Sequence, residues 1–115
     1  MSDPRRSNGS RRDRLVRRVR NEETHCHLCG QPVDVTLPHG RPGSPEVDEL
    51  LPVAFGGSPF KRENVRLAHR HCNRQRSTKP VPIARELLRK ALPRFDAQGN
   101  LVARKTVSTR QSRAW

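Results

Sequence analysis

Cys26-His-Leu-Cys29 and His69-Arg-His-Cys72 are two short pairs with the same two-residue gap, and thirty-nine residues intervene between them. Thiolate and imidazole are the preferred ligands of tetrahedral zinc, so Cys26, Cys29, His69 and Cys72 read as one structural four-coordinate site. The neighbouring His25, His27 and His71 could compete as ligands. His69 is chosen because its gap mirrors that of the cysteine pair. Closing this cage folds the intervening segment back on itself. It draws Asp48, Glu49, Asn64 and Asn73 into one small space.

A metal staple suits the rest of the chain. Only 31% of its 115 residues are hydrophobic and 3% aromatic, too few for a sizeable core. Three cysteines cannot pair completely as disulfides. A CxxC pair in a small basic chain with no visible secretory signal points to a reduced, intracellular setting. No apolar run approaches the roughly 20 residues needed to span a bilayer, so no membrane role is expected. The net charge of +13, from 24 Lys and Arg against 11 Asp and Glu, predicts a polyanionic partner, DNA or RNA.

The chain divides into four stretches. Residues 1–21 read as a mobile basic arm with a weak helical stripe at Leu15, Val16 and Val19. Residues 22–79 hold the paired knuckles and form the candidate domain. Within them, Val47–Val53 reads as a strand and Val65–Ala68 as a second one after Asn64. Arg70–Ser77 reads as a short helix. Residues 80–93 contain a packing helix over 82–92, with Pro82 in its first turn and a stripe of Ile83, Leu87, Leu88, Ala91 and Leu92. Residues 94–115 read as a polar basic tail that carries Arg104, Lys105, Arg110, Arg113 and Trp115.

Asp48 and Glu49 are adjacent on a strand and so point to opposite faces. A carboxylate and an amide oxygen are hard ligands, suited to magnesium or another divalent ion that could contact a scissile phosphate. Ordered along the chain are CxxC, Val-Asp-x-Leu-Leu-Pro-Val, Gly-Gly, Glu-Asn-Val-Arg-Leu and His-x-x-Cys-Asn-Arg. Over residues 22–79 this order resembles the HNH endonucleases, above all small phage-type and prophage-type members. The resemblance implies a small α+β fold: a ββα-metal (His-Me finger) hairpin and helix, braced by structural zinc and flanked by basic tails. It implies that Asp48 and Asn73 hold a catalytic magnesium or similar ion and that Asn64 orients the base. Glu49 stands where the family has a general-base histidine. His39 and His71 are substitute bases ranked below it.

In such a fold Arg70, Arg74, Arg76 and Lys79 would hold DNA phosphates. The expected function is hydrolysis of DNA phosphodiester bonds in the cytoplasm of a bacterial host, beside a phage terminase during DNA packaging. Two other functions fit the charge and the cage: a non-catalytic zinc-braced nucleic-acid-binding module, and an RNA-binding basic protein. The scarcity of aromatic residues argues against an aromatic platform for single-stranded RNA.

Overall fold

The computed structural model describes residues 4–103. It is a small α+β structure with a two-stranded antiparallel sheet and three α-helices: α1 (Pro4–Glu22), β1 (Pro45–Glu49), β2 (Val65–His69), α2 (Arg70–Arg76) and α3 (Val81–Ala91). The strands pair Pro45 with His69 and Glu49 with Val65, so Asp48 lies opposite Arg66. No helix among the described residues is long and apolar enough to cross a membrane.

The expected mobile arm is instead helix α1. Leu15 and Val19, one helical turn apart, are buried, with Val19 fully so. They join the core with Leu28, Val33, Val65 and Leu67, and this apolar contact offsets the helix's dense positive charge. Arg11 lies 4.5 Å above the Phe60 ring, and Arg12 donates to the Pro59 carbonyl at 2.8 Å. The arm is therefore part of the domain, and its basic residues are partly spent on internal contacts.

Glu23, just past α1, fastens that helix to the hairpin. Its carboxylate accepts hydrogen bonds from Arg62 at 2.7 Å, Arg66 at 3.0 Å and the Leu67 backbone at 3.2 Å. Burial raises its pKa, but the bonds from Arg66 and Arg62 outweigh this and hold it below the usual 4.5. Because the folded-state pKa is depressed, the stabilisation is complete above the unfolded carboxyl range. It is lost as pH falls through the folded value. Glu23→Gln should cost about 1.5–3 kcal/mol at neutral pH. Urea melts over a pH series should show the gap from wild type closing below about pH 4.5.

Strand β1 stops at Glu49, short of the expected Val53, because proline cannot donate to the ladder at position 52. The Pro52 carbonyl accepts from Phe55 at 2.9 Å and Gly57 at 3.0 Å, and a 3-10 turn spans Val53–Phe55. Gly57 is required here: a Cβ would lie 1.6 Å from the Leu51 carbonyl oxygen. Asn64 clamps the same loop. Its amide oxygen accepts from Leu51 N–H at 2.9 Å, and its amide nitrogen donates to the Leu51 and Ser58 carbonyls, each at 2.9 Å.

Helix α2 begins directly after β2. Its first amides, of Arg70 and His71, donate to the Ser44 and Pro42 carbonyls at 2.8 Å each. These backbone groups are thus satisfied within the chain. Helix α3 spans nearly the expected residues, but its buried face differs. Ala84 and Leu88 are buried, whereas Ile83 and Leu87 are each 51% exposed. The face is set by Arg85 and Arg89, which donate to the His27 carbonyl at 2.9 Å and the Leu28 carbonyl at 3.2 Å.

Beyond α3 the expected tail turns back. Phe95 and Leu101 form a bridge, and the Asp96 carboxylate accepts the Gln98 and Asn100 amides at 2.9 Å each. The Gly99 carbonyl accepts from Gly43 at 2.8 Å. This seats the Phe95 ring 4.4 Å from the His69 ring. Arg104, Lys105, Arg110, Arg113 and Trp115 lie outside the described residues.

Candidate metal centre and hairpin site

The first knuckle is a tight turn. Cys26 N–H donates to the Gln31 carbonyl at 2.8 Å, and Gly30 N–H returns to the Cys26 carbonyl at 2.9 Å. Gly30 adopts φ +83°, a left-handed conformation that glycine takes without a Cβ penalty. His27 N–H donates to the Leu67 carbonyl at 2.9 Å and ties the knuckle to the free edge of β2. His69 ends that strand, and Cys72 lies in the first turn of α2.

The outcome is a buried Cys3His group. The ligand atoms of Cys26, Cys29, His69 and Cys72 all lie within 4.8 Å of one another. His69 Nδ1 is 3.4 Å from Cys29 Sγ and 3.7 Å from Cys72 Sγ. Tetrahedral zinc with ordinary bond lengths requires about 3.6 Å between nitrogen and sulfur. His69 Nε2 is 2.9 Å from the Pro32 carbonyl. That acceptor fixes the proton on Nε2 and leaves the Nδ1 lone pair for a metal. The amides of Cys29 and Gln31 donate to Cys26 Sγ at 3.4 Å and Cys29 Sγ at 3.5 Å, as thiolate acceptors require. These residues can bind a metal ion such as zinc.

The protonation pattern agrees with a cation site. Hydrogen bonds from Cys29 and Cys72 hold Cys26 far below the usual thiol range, while Cys72 is pushed far above it. Three sulfurs in contact cannot all ionise without a cation between them. Burial disfavours the His69 imidazolium, yet the bonds from Cys26 and Cys29 outweigh it and raise its pKa to about 9 in the metal-free cluster. The competing histidines are placed elsewhere. His25 faces Thr24 at 2.7 Å, and His71 packs edge-on toward Phe95 with ring centroids 6.0 Å apart.

His27 turns away from the metal cluster toward Asp48. Arg85 Nη2 lies 3.1 Å from His27 Nδ1, and His27 Nε2 lies 2.8 Å from Asp48 Oδ2. Arginine can only donate, so Nδ1 accepts and the ring proton sits on Nε2, aimed at the carboxylate. Arg76 Nη1 donates to both Asp48 oxygens at 2.8 Å each. Asp48 is 7% exposed and Arg76 3%. The same guanidinium also donates to the Glu49 carbonyl, the Leu50 carbonyl at 3.0 Å and the Lys79 carbonyl at 3.1 Å.

Arg76 is therefore not a surface phosphate contact, as its place in a basic run suggested. The buried Asp48 carboxylate and the carbonyls at the end of β1 draw it inward. Arg70 and Arg74 lie near Glu46 at 3.2 Å and 3.9 Å, and Lys79 is exposed between α2 and α3.

Asn73 faces the same strand as Asp48, one rung away. Its amide nitrogen donates to Glu46 at 2.9 Å, and its amide oxygen accepts no bond among the described residues. Glu46 and Asp48 share a face of β1 by two-residue alternation. Asn73 and Arg76 share a face of α2 by three-residue spacing. Glu49 points the other way, and its carboxylate has no hydrogen bond among the described residues. His39 is exposed on the preceding loop, and neither it nor His71 bonds to Asp48, Asn64 or Asn73.

Glu46, His27 and Arg85 were not singled out as site residues from the sequence. The Glu46-x-Asp48 alternation was the available signal for Glu46. The links from His27 to Asp48 and from Arg85 to His27 span 21 and 58 positions and have no local signature. The fold and site together define a small α+β protein with a buried Cys3His metal-binding group. Comparison with protein-family models, with curated proteins and with solved structures found no match.

Proposed function

We propose that the chain is an HNH-type endonuclease that hydrolyses DNA phosphodiester bonds, with zinc in the Cys3His group as a brace. The observation that supports this reading is the facing of Asp48 and Asn73. The strand and helix that carry them are tied to one another by Arg76 on Asp48 and by Asn73 on Glu46, within a frame of hairpin, clamped loop and metal group. This is the hairpin-and-helix arrangement that a ββα-metal site needs.

On this reading Asp48 and Asn73 would hold a second, hard cation. A carboxylate has about four lone-pair directions. Asp48 uses three of them on Arg76 and His27, so one remains on Oδ1. The Asn73 amide oxygen is also open. A divalent ion there would polarise the scissile phosphate and stabilise the leaving oxygen. Glu49, next to Asp48 but on the other face of β1 and with no carboxylate hydrogen bond among the described residues, would take the proton from a water approaching on its own side of the strand. Asn64 holds the backbone that follows Glu49, through both polar groups of Leu51.

A second reading, a zinc-braced nucleic-acid-binding module without catalysis, is favoured by the hydrogen bonds that already neutralise Asp48. Plasmid nicking separates the two. Zinc-loaded wild type should nick supercoiled DNA with magnesium or manganese. Glu49→Gln should lose about a hundredfold or more of that rate with an unchanged melting temperature. Faster cleavage by Glu49→His would indicate an intact site with a weak base. No cleavage across a series of divalent ions, on duplex and branched DNA alike, would leave the non-catalytic reading standing.

A further inference from the structure

A cleft of about 730 Å³ opens between the loop after β1 and the start of α3. Leu51, Phe55 and Val81 form its apolar wall, and Arg66, Lys79 and Arg85 stand around it. Every ionisable residue that lines it is basic; Arg66 is paired with Glu23 and Arg76 with Asp48, whereas Lys79 and Arg85 face no acid among the described residues. Arg76 lines it as well and joins it to Asp48.

The apolar wall is held in place. Asn64 bonds both polar groups of Leu51, and Gly57 closes the loop from behind. Phe55 is nevertheless 64% exposed. Among the described aromatic residues, Phe60 is covered by Arg11 and Phe95 lies on His69, whereas the Phe55 ring has no such partner. An exposed ring on a clamped loop, beside Lys79 and Arg85 with no acid facing them among the described residues, is complementary to a flat base joined to a phosphate. A paired base in a duplex offers no face for stacking.

We propose that this cleft binds an unpaired nucleotide of a DNA strand, the base against Phe55 and Leu51 and the phosphate on Lys79 and Arg85. The choice of DNA over RNA rests on the nuclease reading. The resulting substrate class is branched or flapped DNA, not blunt duplex.

Fluorescence anisotropy tests this on zinc-loaded protein with no added divalent ion, so that binding is read apart from cleavage. The probes are a blunt DNA duplex and the same duplex carrying an unpaired thymidine flap. Wild type should bind the flapped probe about tenfold more tightly. Phe55→Ala should lower flap binding to the level of the duplex and leave duplex binding unchanged. Lys79→Ala should weaken both probes and flatten their salt dependence. Equal binding of the two probes by wild type overturns the proposal, as does an undiminished flap preference in Phe55→Ala. Tighter binding of the matching RNA flap overturns the assignment to DNA. A flap preference without plasmid nicking supports the cleft and counts against the nuclease reading alone.

Discussion

Removal of the metal from the Cys26, Cys29, His69 and Cys72 group should unfold the protein. Structural zinc contributes about 10–16 kcal/mol in small zinc-binding peptides, as much as the whole stability of an ordinary domain. The core cannot replace it. Of the twelve buried apolar residues among those described, three are the ligand cysteines. Without a cation these sulfurs and His69 are left in mutual contact with mismatched protonation. The loss should spread, because the knuckle supports β2 through His27 and α3 through the His27 and Leu28 carbonyls. Circular dichroism during titration with a strong chelator should show helix content falling in step with metal content and recovering when zinc is restored. Unchanged ellipticity and melting temperature in fully metal-free protein would contradict the expectation. Because the ligands must lose protons to bind, reloading should release acid and weaken as pH falls.

Asp48→Ala should be the most damaging single substitution outside the metal group, at about 3–5 kcal/mol. The Asp48–Arg76 pair is buried, and loss of the carboxylate leaves the guanidinium in the interior without a counter-charge. His27 Nε2 loses its acceptor in the same step. Arg76→Ala should cost a comparable amount, because the Glu49, Leu50 and Lys79 carbonyls lose their donor. The two losses should not add, and the double variant should be less damaged than their sum. Denaturant melts of the three proteins measure this directly, and simple additivity would argue against the coupling. Loss of nicking by Asp48→Ala is therefore ambiguous, and Glu49→Gln is the cleaner probe of chemistry.

The parts legible in the sequence were those whose chemistry is local. The two ligand pairs carry their own spacing, and α2 follows β2 without a breaker. The hairpin was marked by turn residues around two apolar runs. What escaped depended on contacts between distant segments. Arg76 sits among other basic residues and resembles a surface side chain until Asp48 is placed opposite it. The stripe in α1 is thin and lies within a field of arginines, so its burial against β2 was outweighed by charge. In α3 the hydrophobic stripe was read correctly as helical, but the packed face was set by Arg85 and Arg89 reaching backbone carbonyls. The return of Phe95 onto His69 left only a turn signal at Gly99. For the candidate site, the residue types at Asp48, Glu49, Asn64 and Asn73 were visible, whereas their partners Glu46, His27 and Arg85 were not.

The order of the ligands along the chain bears on how the protein is made. Synthesis delivers α1 and the Cys26–Cys29 knuckle ahead of the hairpin, as a half-site with two sulfurs. That half-site waits through the loop and both strands until His69 and Cys72 emerge. The ring that covers His69 comes later still, at Phe95. Since small domains fold as units, commitment to the native state waits until Phe95 has emerged. Metal supply at that moment, more than early helix formation, should set the yield of folded protein.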